Sequence, residues 1–116
     1  GRAVARVLIG EFGAIVRRGL KDVLAEGGCE VVAEDTTDQV LLRRLVDAFP
    51  DVVVVDLDRV DREVVVHQVC AVFPAMKVVA FSADESTMRI FPAFHGGESY
   101  SSSLSATRLL EAIKAS

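Results

Sequence analysis

Apolar and polar positions fall into two kinds of block that alternate along this chain. Val7-Leu8-Ile9 is a short apolar run. Between Gly13 and Glu26, Val16, Gly19, Leu20, Val23 and Leu24 recur at i, i+3, i+4, i+7 and i+8, the stripe of an amphipathic helix. Gly27-Gly28 stops it, because glycine supplies a left-handed cap. Glu30-Val31-Val32-Ala33 reads as a second short strand. Thr36 or Thr37 can cap a helix that runs to about Phe49, with Leu41, Leu42, Leu45 and Phe49 on its inner face.

Pro50 ends that helix, and Val52-Val53-Val54-Val55 follows, closing on Asp56. Unalternated β-branched runs are buried on both faces, as in a central parallel sheet. Arg62–Phe73 contains the strand-prone Val64-Val65-Val66, but Val66, Val69, Cys70 and Phe73 keep helical spacing. The spacing predicts a helix, closed by Pro74. Val78-Val79-Ala80-Phe81 is another buried strand, ending at Ser82. Glu85 to His95 is predicted as a helix with Pro92 as a fault inside it. Proline removes one helical bond and clashes with the preceding turn, at about 3 kcal/mol, and pushes Phe91 away from helical geometry. That helix is therefore expected to be short, kinked or unwound near Phe91, with Met88, Phe91 and Phe94 as its apolar set. Ser99–Ser102 is a weak fifth strand, and Ser105 caps a last helix carrying Ala106, Leu109, Leu110 and Ile113.

The sum is (βα)5, an α/β chain. Right-handed crossovers place helices on both faces of a parallel sheet. The expected strand order is 2-1-3-4-5, the flavodoxin-like doubly wound fold, whose ligands meet the carboxyl ends of the strands. The residues to examine are therefore Gly10-Glu11-Phe12, Asp56-Leu57-Asp58, Ser82-Ala83 and Ser102-Ser103.

Composition narrows the partners. The 116 residues allow one domain, and an apolar share of 51% excludes disorder. No apolar run approaches the roughly 18 residues of a membrane span, and no signal peptide is visible. A net charge of −4, with Arg17-Arg18 and Arg43-Arg44 as the only basic pairs, argues against direct nucleic-acid contact. Cys29 and Cys70 lack metal-ligand spacing and read as reduced core thiols of a cytosolic protein. His67 and His95 have no partner ligands, and His95 is expected near a helix C-terminus. The chain begins at Gly1, which suggests a piece of a longer protein.

Glu11 and Asp56 should converge from adjacent strands, with Asp58 close by. Close carboxylates repel unless they share a proton or a cation, and a hard divalent ion with oxygen ligands is the natural solution. Solvated polar strand ends are the plainer reading.

In order and spacing these segments resemble the receiver domain of two-component response regulators, especially those joined to a LuxR/NarL-type helix-turn-helix domain. The resemblance runs through Arg6–Phe12, Ile15–Leu20, Pro50–Leu57, Val78–Ala83 and Gly96–Tyr100, nearly the whole chain. It implies a phosphoacceptor at Asp56, a phosphoryl-binding hydroxyl at Ser82 and a switch aromatic at Tyr100. It also implies Mg²⁺ held by acids after the first strand and by the acceptor, and a lysine after the fifth strand. Cations and donors there stabilise charge on the equatorial oxygens.

This chain departs from that pattern. Glu11 replaces the first acid, one methylene longer, and Phe12 replaces the second, the direct metal ligand. Ser103 stands where the lysine belongs, and no Lys or Arg occurs from Phe91 to Thr107. Arg59-Val60 replaces the usual Met-Pro, and Leu104 the proline after the lysine. Asp58 adds repulsion against a phosphoryl group. Losing one preorganised donor commonly costs about 10²–10³ in rate. The expectation is a degenerate receiver, residues 1–116, as the N-terminal part of a longer regulator. It is a signalling domain rather than an enzyme, with no required cofactor and at most weak Mg²⁺ on Asp56 and Glu11. Homodimerisation through the 85–115 face and contact with a histidine kinase are the partners implied. Two alternatives stay open: a working phosphoreceiver on Asp56 helped by Glu11 and Asp58, and a small flavodoxin-like binding protein. Against flavin, Gly10-Glu11-Phe12-Gly13 offers no phosphate-cradling loop.

Overall fold

The computed structural model describes residues 4–115. Gly1–Ala3 and Ser116, the ends of the expected 1–116 domain, lie outside the described residues. The chain runs β1 (Arg6–Gly10), α1 (Ala14–Glu26), β2 (Glu30–Thr36), α2 (Asp38–Ala48), β3 (Val52–Asp56), α3 (Arg62–Val72), β4 (Lys77–Ser82), β5 (Thr87–Phe91), β6 (Tyr100–Ser103) and α4 (Ala106–Lys114). The strands form one sheet in the order β2-β1-β3-β4-β5-β6. β1, β2, β3 and β4 are mutually parallel.

Parallel central strands are covered on both faces, and that explains their unalternated valines. Val7 and Ile9 of β1 and Val52 and Val54 of β3 pack with α1 and α4 through Leu20, Leu24, Leu109 and Ile113. Leu8, Val53 and Val55 face the opposite layer, made by α2 and α3 with Leu41, Leu45, Val66 and Val69. Arg62–Val72 is helical, so the apolar spacing outweighs the strand propensity of Val64–Val66. Cys29 and Cys70 are free thiols that pack against opposite layers, and burial pushes both thiols up from their ordinary pKa. Ser105 caps α4 as expected, its hydroxyl accepting from the Arg108 N–H at 3.1 Å. Lys77 holds the other end of α4, its Nζ donating to the carbonyls of Ala112 (2.6 Å) and Ala115 (2.7 Å). No helix among the described residues is long and apolar enough to cross a membrane.

The expected fold class holds through β4 and is then modified. The helix expected over Glu85–His95 does not form. After β4 the chain turns at Ala83–Ser86 and returns as β5, antiparallel to β4, with Val79 opposite Ile90 and Phe81 opposite Met88. Thr87, Ile90 and Phe91 are strand-prone, and Pro92 holds Phe91 in extended backbone, which suits the last residue of a strand. Met88 and Ile90 point into the α1/α4 layer, and Phe91 into the α2/α3 layer. The supposed helical stripe is thus split, and Phe94 is exposed.

β6 pairs antiparallel with β5 and therefore runs parallel to β4, displaced outward by one strand. The connection, 92–99, takes the place of a crossover helix. Arg89 on β5 organises it, lying 5.5 Å over the Phe91 ring and donating to Ser99 Oγ at 2.7 Å. His67 meets Phe91 edge-on and abuts Gly97. His95 lies in this connection rather than at a helix end, its Nδ1 2.8 Å from the Ala93 carbonyl.

Gly97 has φ +87°, and a Cβ there would come within 2.8 Å of the His67 ring. Gly97→Ala is therefore expected to lower unfolding stability by about 1–2 kcal/mol. Gly19, inside α1 with open space around it, gives the contrast. Gly19→Ala is expected to raise stability by about 0.5–1 kcal/mol. Urea unfolding of both variants checks the pair of signs.

Candidate functional site

The carboxyl ends of β1, β3 and β4 bring three short loops together. Glu11 follows β1, Asp56 ends β3 with Asp58 two residues on, and Ser82 ends β4. These are the sequence-predicted site residues that the fold gathers. Each of these side chains has a partner from the chain itself.

Asp56 is half-buried, and its Oδ1 accepts the N–H of Asp58 at 2.9 Å. This is the local Asx bond that aspartate makes two residues ahead. The same loop is tied to β4 by the Leu57 N–H, which donates to the Phe81 carbonyl at 2.9 Å. Ser82 is fully buried, and its hydroxyl donates to Asp58 Oδ2 at 2.9 Å. The Ser82 Oγ in turn accepts the Glu85 N–H at 3.1 Å and so helps close the hairpin turn. Ser82 thus serves the turn and Asp58 rather than pointing a free hydroxyl into the cleft.

Sequence reasoning missed the cation of the site. Arg59 Nη2 lies 2.7 Å from Glu11 Oε1 and joins the loop after β3 to the loop after β1. The signal is the Arg59-Val60 departure from Met-Pro, which puts a basic residue in the loop after β3. Val60 beside it is exposed.

Phe12 points inward. It is 6% exposed and stacks on Phe81, with ring centroids 4.9 Å apart and planes at 18°. It belongs to the α1/α4 core with Val7 and Ile9. Its ring fills the core beneath the loops.

Ser103 and Tyr100 are not brought to the cleft. Both lie on β6 and both are exposed. Ser103 is opposite Thr87 on β5, and Tyr100 is opposite Ile90. Three inter-strand steps of about 4.8 Å put β6 roughly 14 Å from β3, against about 10 Å had it paired with β4. A lysine side chain at position 103 would start one strand too far out.

Mg²⁺, which the receiver resemblance implies, demands near-octahedral oxygen ligation at about 2.0–2.1 Å. The donors here do not fit it. Glu11 is held by a guanidinium, Asp58 by a hydroxyl, and Asp56 Oδ1 by a backbone N–H. Among the described residues no three of His, Cys, Asp and Glu come together as a metal cage. What the arrangement does chemically is tie its acids down: one cation, one hydroxyl and one backbone N–H each engage one of the three carboxylates, and the acids still outnumber Arg59.

A second polar feature sits in the α2/α3 layer. Arg62, 5% exposed, donates from Nη2 to Asp38 Oδ2 at 2.7 Å and so joins the first residues of α3 and α2.

No protein-family model matches the chain, and no curated protein matches it. Among solved structures, it is similar to the isolated REC domain of RcsB from Salmonella enterica serovar Typhimurium, solved in the presence of phosphomimetic BeF3-. The TM-score is 0.61 at 20% identity, over 68% of this chain and 62% of that one. It is likewise similar to the signal receiver domain of NarL from Mycobacterium tuberculosis. There the TM-score is 0.61 at 24% identity, over 71% of this chain and 68% of that one. The match thus spans less than two thirds of the RcsB domain. These likenesses establish the receiver-type flavodoxin-like fold.

Introducing the charges that the receiver resemblance implies is expected to have unequal costs on this scaffold. Phe12→Asp puts a carboxylate into a ring stack and removes a core phenyl, lowering stability by about 3–5 kcal/mol. Ser103→Lys, on an exposed strand, is expected to stay within about 0.5 kcal/mol of the parent. Arg59→Ala removes a partly exposed pair and is expected to cost at most about 1 kcal/mol. Urea unfolding of the three variants ranks them.

Proposed function

We propose that this chain is a receiver-like signalling domain that works without ordinary aspartyl phosphorylation. In this reading it controls an attached DNA-binding domain by dimerisation or by binding a partner or ligand, inside the cytosol, and makes no nucleic-acid contact itself. The observation that carries the reading is the insertion of β5 between β4 and β6. It removes the fourth corner of a receiver pocket by moving Ser103 outward, whatever residue stands there.

The pairing of the remaining groups supports the same reading. Phosphoryl transfer to an aspartate needs cations and donors aimed at the transferring oxygens. Here Arg59 is engaged by Glu11, and Ser82 donates to Asp58. A phosphoryl group arriving at Asp56 would meet Asp58 and Glu11 without a metal or lysine to offset them. The three loops are stapled to one another, so the carboxyl end reads as a fixed platform rather than a switch. A histidine kinase, if one docks here, would act as a binding partner rather than a phosphoryl donor.

Intact mass after incubation with acetyl phosphate and Mg²⁺, beside an Asp56→Asn control, tests this. The expected result is labelling at least about 10²-fold below that of an ordinary receiver, and unchanged in the control. A phosphoryl adduct that disappears in Asp56→Asn would overturn the proposal and make Glu11 and Asp58 the compensating acids.

A further inference from the structure

The sheet has two edges, and they are built differently. At one edge β2 carries Glu30, Glu34 and Asp35, and its pairing with β1 shifts register between Val7 and Leu8 and again between Leu8 and Gly10. Charges and bulges are the usual devices that keep an edge strand from pairing with another chain. At the other edge β6 reads Tyr-Ser-Ser-Ser. It has no charge and no proline, and it pairs with β5 without a register shift.

The ladder determines which backbone groups face outward. The Leu104 N–H donates to the Ser86 carbonyl at 2.8 Å, which makes Ser86 and Leu104 a hydrogen-bonded pair. Antiparallel alternation then makes Met88–Ser102 and Ile90–Tyr100 the next such pairs. The N–H and C=O groups of Ser101 and Ser103 consequently point away from β5, at the rim of the sheet.

We infer that β6 is a self-association edge. A second copy of this chain pairs with it antiparallel about a two-fold axis at Ser102, joining two sheets into one. Ser101 of each copy then exchanges backbone hydrogen bonds with Ser103 of the other, and the two Ser102 residues face each other as a non-hydrogen-bonded pair.

The flanking helix favours the same occupant. α4 presents Arg108 and Glu111 along a cavity of about 240 Å³ that Met88, Ile90 and Tyr100 also line. Both charged residues are exposed. A two-fold axis runs the two α4 helices antiparallel, which sets Arg108 of one copy toward Glu111 of the other. The same contact covers Tyr100, now 54% exposed above that cavity. The inference deepens the dimerisation part of the proposed function. It stands on sheet topology and not on chemistry at Asp56, so the mass measurement and the test below fail independently.

Sedimentation velocity over a concentration series is expected to show the sedimenting mass of the chain doubling. Ser101→Pro and Ser103→Pro remove outward N–H groups that β5 does not use, so both are expected to remain folded by circular dichroism yet stay monomeric. In a chain with Cys29→Ala and Cys70→Ala, Ser102→Cys is expected to give a covalent dimer under mild oxidation. The facing Cα atoms would be about 4.5 Å apart, within disulfide reach. Ser101→Cys in the same background is expected to crosslink far less. A parent chain that stays monomeric at its highest soluble concentration overturns the inference. So does a dimer that survives both proline variants, or one in which Ser101→Cys crosslinks as well as Ser102→Cys.

Discussion

The reversal of chain direction at Ala83–Ser86 decides the architecture of the whole carboxyl end. A parallel neighbour for β4 needs a crossover of a dozen or more residues, whereas an antiparallel one needs only a tight turn. Here the turn is closed by Ser82, whose buried hydroxyl accepts the Glu85 N–H. Once β5 has taken the place beside β4, β6 can pair only further out, and the connection 92–99 must cover the exposed flank of β5 without a helix. Arg89, His67 and Gly97 hold that cover in place. The loops after β1, β3 and β4 still meet, because the strands that carry them are neighbours and mutually parallel.

Within those three loops each carboxylate is tied to a partner from the chain, although the acids outnumber Arg59. Exposed ion pairs such as Glu11–Arg59 contribute little to stability, on the order of 0–1 kcal/mol. Their consequence is chemical rather than thermodynamic: a tethered guanidinium occupies the charge that a bound cation would otherwise supply. Core packing does the stabilising. Phe12 is part of it, and the stack on Phe81 joins the β1 loop to the strand that carries Ser82.

Much of this was legible in the residues. The apolar runs located β1, β3 and β4, the i, i+3, i+4 stripes located the helices, and Ser105 was readable as a cap. The gathering of Glu11, Asp56, Asp58 and Ser82 followed from strand ends in a doubly wound sheet. Thr87–Phe91 was misread because its apolar residues satisfy both periods over so short a span. Met88 and Phe91 keep helical spacing, while Met88 and Ile90 alternate as in a strand. Pro92 was recognised as a fault, but a proline that breaks a helix equally ends a strand. The Arg59-Val60 departure was visible, but its pairing with Glu11 was beyond reach because an ion pair between loops depends on the path of both. The places of Ser103 and Tyr100 then went wrong as a consequence of β5, not of their own identities.

The inserted strand is tested most directly by backbone nuclear Overhauser contacts in the folded protein. An antiparallel β5 predicts cross-strand contacts between Val79 and Ile90 and between Phe81 and Met88, with sequential strand-type contacts over Thr87–Phe91. Helical i to i+3 contacts across Glu85–Phe91, with β6 paired directly to β4, would contradict it and return Ser103 to the edge of the Asp56 cleft.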